Sequence, residues 1–475
     1  MNNSPAINLT LNPDRLFPSD PTLRNITRRL YEEVRGLPII SPHGHTDPRW
    51  FADNEPFSNP AALLVQPDHY LLRMLYSQGV PLEKMGIARK DGQEVEQNPR
   101  QAWRLFASYF HLFRGTPSYM WLNHVFSDVF GMQVRLNAET ANDYYDQIND
   151  SLAKEAFKPR ALFERFNIEL LATTESPLDD LHHHDRILES GWSGRVITTY
   201  RPDPVLDPQH EGFLDNLNIL ADITGEPTDT FDGYLNALKC RRDYFRCRGA
   251  TATDHGHPTA RTADLSVAEK TALFTKVRSG QSSAKEAELF RAQMLTEMAA
   301  MSIEDGLVMQ IHPGCFRNHN NHLFNTFGRD KGADIPIQTR YVEELHPLLN
   351  KFGNDSKLSI IVFTLDETTY SRELAPLAGH YPALKLGPAW WFHDSPEGMR
   401  RYREQVTETA GFYNTVGFND DTRAFLSIPA RHDVARRMDC GFLATLVAEH
   451  RMEEDEAVEV ALDLSYNLAK RAYKI

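Results

Sequence analysis

The chain has 475 residues, 41% hydrophobic and 10% aromatic, enough for one large core or for two or three ordinary domains. Its net charge of -14 excludes nucleic acid or an anionic membrane as the main partner, while an anionic small substrate is allowed if arginines gather locally. The four cysteines form no Cys-x-x-Cys pair, the N-terminus shows no basic flank and apolar run of a signal peptide, and no apolar stretch approaches the ~20 residues of a membrane helix, so a cytoplasmic protein is expected.

Residues 1–36 read as a helical lead-in. The run 37–40 is apolar and β-branched, and it ends in Ser41-Pro42-His43-Gly44-His45. Side chains two apart on a strand point to the same face, so His43 and His45 are placed to grip one metal ion. Two other His-x-His pairs occur, His182/His184 and His255/His257. The first lies in a helical pattern, where residues two apart diverge. Only His43/His45 joins an apolar strand to a small spacer and a following turn, and it alone is read as the metal pair. Segment 37–49 is therefore the first strand with its metal loop.

Residues 50–165 break the rhythm that follows. They are too long for an ordinary strand-to-helix connection and carry amphipathic pieces at 70–77, 100–112, 119–130 and 140–152. They are expected to form a helical insertion over the site, contributing Asp68-His69-Tyr70 to it.

From 166 to 475 short apolar runs alternate with helical patterns. Strands are expected at 168–174, 195–201, 250–253, 307–311, 358–365, 383–386 and 414–418, with helices at 181–189, 213–220, 234–248, 284–301, 339–352 and 396–411. With 37–40 that makes eight strands, an α/β pattern that predicts a (β/α)8 TIM barrel. A doubly wound sheet fits less well, because no Gly-x-Gly-x-x-Gly follows a strand. In a barrel the polar residues at strand C-termini share one mouth. Here those are Arg201 and Asp203, Asp254 to His257, His312 with Arg317, Asp366, Trp390, and Asp420 to Arg423.

This ordered set resembles the amidohydrolase superfamily and, within it, the uronate isomerase (glucuronate isomerase) family. The resemblance spans nearly the whole chain and rests on PHGHTDP at 42–48, DHY at 68–70, TTESPLDDL at 173–181, YRPD at 200–203, TDHGH at 253–257, MQIHPGCFRN at 309–318, WWF at 390–392 and DDTRAFLS at 420–427. It implies a metal site of His43, His45 and Asp421, and a substrate pocket containing His69, Tyr70, Arg201, His312, Trp390 and Arg423. A two-metal hydrolase would need a bridging Lys or Glu and two further histidines. Only His312 remains on the later strands, so one divalent ion is expected; the donors suit Zn²⁺, with Mn²⁺ and Fe²⁺ also allowed.

The reaction implied is aldose–ketose isomerisation of a sugar acid through a cis-enediol. Asp421 is the first choice for the base at C2. Tyr70 is the second, if its phenol, ordinarily near 10, is lowered. His69 or His312 can move a proton between O1 and O2, Arg201 and Arg423 suit the substrate carboxylate as bidentate partners, and Trp390 can wall the pocket. A metal-dependent hydrolase or decarboxylase on the same barrel is the alternative. A small-molecule substrate is the only partner implied, and a homo-oligomer is allowed.

Overall fold

The structure, a computed structural model, describes residues 7–475. Among them seven strands form one parallel sheet: β1 (Ile39–Ser41), β2 (Ile168–Glu175), β3 (Arg195–Tyr200), β4 (Ala252–His255), β5 (Val308–Ile311), β8 (Ile360–Val362) and β9 (Leu384–Leu386), hydrogen-bonded in that order. Between β5 and β8 a small antiparallel ribbon pairs β6 (Cys315–Phe316) with β7 (Ile335–Pro336).

The sheet curls, and both its faces are covered. On β5 the side chains alternate between two environments, as a period of two requires. Met309 and Ile311 pack outward with Ile360, Val362, Leu384 and the helix Ala284–Asp305. Val308 packs inward with Ala252, Ile361, Val416 and Tyr473. Burial on both faces explains why these strands read as continuous apolar runs rather than alternating ones.

The expected eighth strand at 414–418 is a correction. Thr415 makes a single parallel bridge to Leu386, and no longer ladder forms. A turn bond from Thr415 N–H to Phe412 O precedes it, and Gly417 at φ 74° ends the extended run. A side chain at Gly417 would meet Leu464 O at 2.7 Å, so this backbone requires glycine. The following loop nevertheless meets the first strand's loop, since His45 N–H donates to Thr422 O at 3.0 Å.

Between β1 and β2 the chain is helical, at Pro48–Asp53, Pro60–Leu64, His69–Ser77, Pro99–Ser108, Pro117–His124, Ala141–Leu152 and Pro159–Arg165. Four of these start with proline directly after a capping Asp47, Asn59, Asn98 or Thr116, whose side chain accepts a first-turn N–H. They pack around Trp103, Phe106, Phe110 and Phe126, and Trp103 Nε1–H donates to Ala141 O at 2.9 Å.

The N-terminal lead-in supplies the helix Pro21–Val34; its residues 1–6 lie outside the described part. After β2, seven helices lie outside the expected set: the short Asp203–Leu206, Asn321–Phe327 and Ala375–Ala378, and Val267–Arg278, Ile428–Ala448, Glu454–Leu462 and Leu468–Tyr473. The long helix Ile428–Ala448 buries Arg431, His432, Arg436, Arg437 and Asp439 among its apolar residues, which hides its periodicity. Most of these charges are paired: Arg431 meets Asp394, His432 meets Asp420 at 3.0 Å, Arg437 meets Asp433 at 2.9 Å, and Arg403 makes a two-pronged pair with Asp439 at 2.6 and 3.1 Å, while Arg436 donates to the carbonyls of Arg35, Leu37 and Pro38. The last helix places Ala469 and Tyr473 inside the curl of the sheet. No helix of the described residues is long and apolar enough to cross a membrane, and all four cysteines are free thiols.

Arg403→Ala strips the partner from a buried carboxylate, and breaking such a pair costs roughly 3–5 kcal/mol. Urea denaturation is expected to show that loss as a lower midpoint with unchanged slope. A variant as stable as the parent would mean that Asp439 finds another partner.

Candidate metal and substrate site

All nine side chains singled out from the sequence line one cavity of about 860 Å³ at the C-terminal ends of the strands: His43, His45, His69, Tyr70, Arg201, His312, Trp390, Asp421 and Arg423. They come from the β1, β3, β5 and β9 ends, the loop after Phe418 and the start of the helix His69–Ser77.

Asp421 is the hub. His45 Nε2 lies 3.2 Å and His43 Nε2 3.7 Å from its Oδ1, while Trp390 Nε1–H donates to Oδ2 at 2.5 Å. Its backbone sits at φ 33°, a strained conformation held by Asn419 Oδ1, which accepts the Asp421 N–H at 3.0 Å. Burial works against its ionisation, but His43 and His45 outweigh this and hold the carboxyl well below the usual range.

His312 stacks on His43 with ring centroids 4.9 Å apart. Its Nδ1 lies 2.7 Å from Asp254 Oδ1, whereas its buried Nε2 has no partner. A carboxylate on Nδ1 fixes the proton there and leaves the Nε2 lone pair free. Burial pushes His43 down to about 4, so it is neutral at physiological pH.

These residues fit a divalent ion. His43, His312 and Asp421 each offer a ligand atom within 4.8 Å of the others, and His45 adds a fourth donor next to Asp421. Neutral imidazoles with one carboxylate match the preference of zinc-type ions, and ligands ~2.0–2.2 Å from such an ion lie at separations close to those seen. Gln310 Nε2, 3.3 Å from His43 Nδ1, steadies that ring from behind.

The two arginines differ. Arg201 is enclosed by carboxylates, with Nη1 2.9 Å from Asp254 Oδ2 and Nε donating to Asp203 Oδ2 at 3.1 Å. Burial alone would lower its pKa, but Asp254 and Asp203 outweigh it, so the charge is locked. Arg423 has Asp330 at 3.2 Å and is more than a third exposed. It is thus the freer anchor for an incoming anion.

Tyr70 is buried beside Trp121, and its hydroxyl donates to Trp391 O at 3.3 Å. Burial pushes the phenol up despite the nearby Arg431. His69 is pushed down to about 3 by burial and by Arg423. The lowered phenol envisaged from the sequence is therefore not what this environment produces.

Three cavity residues had been given no role. Asp254 joins Arg201, His312 and His43 into one network. Its inward position beside Gln310 on neighbouring strands was the available signal. Arg431 reaches the cavity from the helix Ile428–Ala448, with its guanidinium 3.6 Å above Trp121. Glu175, at the end of β2, takes a hydrogen bond from Thr198 and is pushed up from 4.5 to about 8, chiefly by burial.

A family model for glucuronate isomerase matches residues 20–473. A uronate isomerase from Phenylobacterium zucineum is 67% identical over 98% of this chain and 97% of its own. The crystal structure of glucuronate isomerase from Caulobacter crescentus superposes with a TM-score of 0.97 at 64% identity, covering 98% of this chain and 97% of that one. The uronate isomerase structure from Thermotoga maritima gives 0.90 at 28% identity, covering 98% and 99%.

His43→Ala is expected to lower bound divalent metal sharply in elemental analysis, because a ligand at the centre of the cluster is lost. Unchanged content would remove His43 from the ligand set. Glu175 gives a pH test. Folded protein keeps its proton up to about 8 while the unfolded chain releases it near 4.5, so this group lowers stability as pH rises between them. Between about pH 5 and about pH 8, Glu175→Gln should therefore lose less melting temperature than the parent protein. Parallel curves for the two would mean that Glu175 ionises normally.

Proposed function

This chain belongs to the glucuronate isomerase family and is an aldose–ketose isomerase, and from that premise we propose how its own residues carry the reaction. The substrates in this reading are D-glucuronate, D-galacturonate or both, converted to D-fructuronate and D-tagaturonate. The observation that carries it is the ionised Asp421 at the hub of a cavity that also holds a free imidazole nitrogen and an exposed arginine.

Asp421 removes the proton from C2 of the open-chain sugar acid and returns it to C1. The phenol of Tyr70, raised by burial, serves better as a hydrogen-bond donor than as the base. His312, held by Asp254, takes a proton from one substrate oxygen at Nε2 and delivers it to the other. Arg423 receives the substrate carboxylate in a two-pronged fork, displacing Asp330. Arg201 keeps Asp254 ionised, and its remaining N–H groups face the cavity. Trp390 orients Asp421 through its indole N–H and closes the wall beside His312.

His43, His45 and Asp421 would hold one divalent ion, with Zn²⁺ the best match to the donors. When bound, such an ion supplies Lewis acidity toward a sugar carbonyl oxygen. The same reading takes the curled sheet as a (β/α)8-type barrel whose eighth position holds only the bridge at Thr415 and the loop after it, with residues 50–165 as an insertion roofing its mouth. It also places the protein in the cytoplasm, in keeping with its acidic charge and free thiols.

Purified protein incubated with each uronate should form the keto-acid. Run in D₂O, conversion should place solvent deuterium at C1 of the product, at least in part. Product free of deuterium would point to a hydride shift from C2 to C1. Asp421→Asn should abolish exchange at C2, with metal content measured on the same sample. Exchange retained with normal metal would move the base elsewhere. Arg423→Lys should lower kcat/KM about ten- to a hundredfold, since an ammonium cannot form the fork. Near-normal kinetics would place the substrate carboxylate on another group.

A further inference from the structure

The third His-x-His pair, His255/His257, lies among the polar residues at the strand ends, and the fold gives it a carboxylate. Asp203, His255 and His257 each present a ligand atom within 4.8 Å of the other two. Asp203 opens the short helix Asp203–Leu206 just after β3, His255 ends β4, and His257 follows two residues on. His257 Nε2 lies 3.8 Å from Asp203 Oδ1, nearly the 3.7 Å between His43 and Asp421. We propose that these three residues hold a second divalent cation, of the class that imidazole and carboxylate ligands favour, Zn²⁺ or Co²⁺.

The nitrogen atoms point to an occupant. His255 is fully buried and His257 is 3% exposed. Neither ring nitrogen of His257 has a partner, nor does His255 Nδ1. Buried polar atoms without partners forfeit their hydration for nothing in return, so they mark places where a ligand belongs. His255 Nε2 lies 3.1 Å from Thr253 Oγ1. With the proton on that nitrogen, donated to the hydroxyl, Nδ1 presents its lone pair, the outer-sphere arrangement usual for metal-binding imidazoles. Burial keeps both rings neutral, the form that ligates.

The carboxylate is held for the purpose. Gly256 N–H is shared between both Asp203 oxygens at 3.1 Å and Arg201 Nε–H donates to Oδ2, so Oδ1, the less engaged oxygen, is the one that faces His257. Arg201 shares its charge with Asp254, so two carboxylates and one guanidinium leave one net negative charge beside the site. The glycine spacer is required. A Cβ at Gly256 would fall 2.3 Å from Arg201 Nη2 and 2.8 Å from Asp203 Oδ2, pushing the carboxylate off the histidines.

The test is to strip full-length protein with chelator, titrate it with Co²⁺, and follow the visible absorption and the bound metal after gel filtration. His257→Gln and His255→Gln should each bind one equivalent fewer than the parent protein, and His43→Ala should keep the equivalent that they lose. Identical stoichiometry and spectrum in the parent and both glutamine variants would overturn the proposal and leave buried water on these nitrogens. If a variant fails to fold, crystals of the parent protein soaked in Zn²⁺ decide. An anomalous peak within bonding distance of Asp203, His255 and His257 supports the site, and no peak there refutes it.

Discussion

Two ionised carboxylates, Asp254 and Asp421, sit almost dry at the open end of the curled sheet, and much of the molecule is arranged to make that tolerable. A bare carboxylate in such a place costs more than a fold can sustain unless cations and N–H groups surround it. Asp254 has Arg201 at 2.9 Å and His312 at 2.7 Å. Asp421 has two imidazoles and an indole N–H. In the proposed reading these partners are also the groups a sugar acid would meet, so compensating the charge and building the site are one arrangement. The positions chemistry needs are therefore the positions stability constrains.

The same logic reaches inward. A chain of side chains runs from Asn419 to the Tyr473 hydroxyl at 3.3 Å, on to Gln310 at 2.8 Å and then to His43 at 3.3 Å. Tyr473 comes from the last helix of the chain, inserted into the curl where the strands alone would leave space. The C-terminus thereby becomes part of the support behind the first strand's histidine. Interiors tolerate little empty volume, so a curled sheet that opens to a cavity at one end has to be filled at the other.

A third ring of charges lies along the helix Ile428–Ala448, whose Arg431 meets Asp394, whose Asp439 receives Arg403 from the helix Pro396–Ala410, and whose Arg437 pairs with Asp433 one turn earlier. Arg431 serves both regions, with its head near Tyr70 and its partner Asp394 behind Trp391. Such pairs add little net stability over apolar packing, but they punish any other register of the helix. Orientation is what the cavity needs from that helix.

How much of this could be read from the sequence follows local physics. Near-continuous apolar runs marked β2, β3, β5 and β9, because a sheet covered on both faces leaves that trace. His-x-His after the first strand and Asp421 near the end marked the hub, and all nine named residues do line one cavity. The eighth strand failed because Gly417 stops an extended run that hydropathy alone cannot tell from a strand. The helix Ile428–Ala448 stayed hidden because its buried arginines imitate a solvated face. Charge states belonged wholly to tertiary structure: Tyr70 and Glu175 are pushed up by burial, and Arg201 is locked between two carboxylates. The pairing of Asp203 with His255 and His257 was equally out of reach. Residue types and their spacing are local properties written along the chain, whereas dehydration and the approach of charges distant in sequence exist only once the sheet has curled and closed around them.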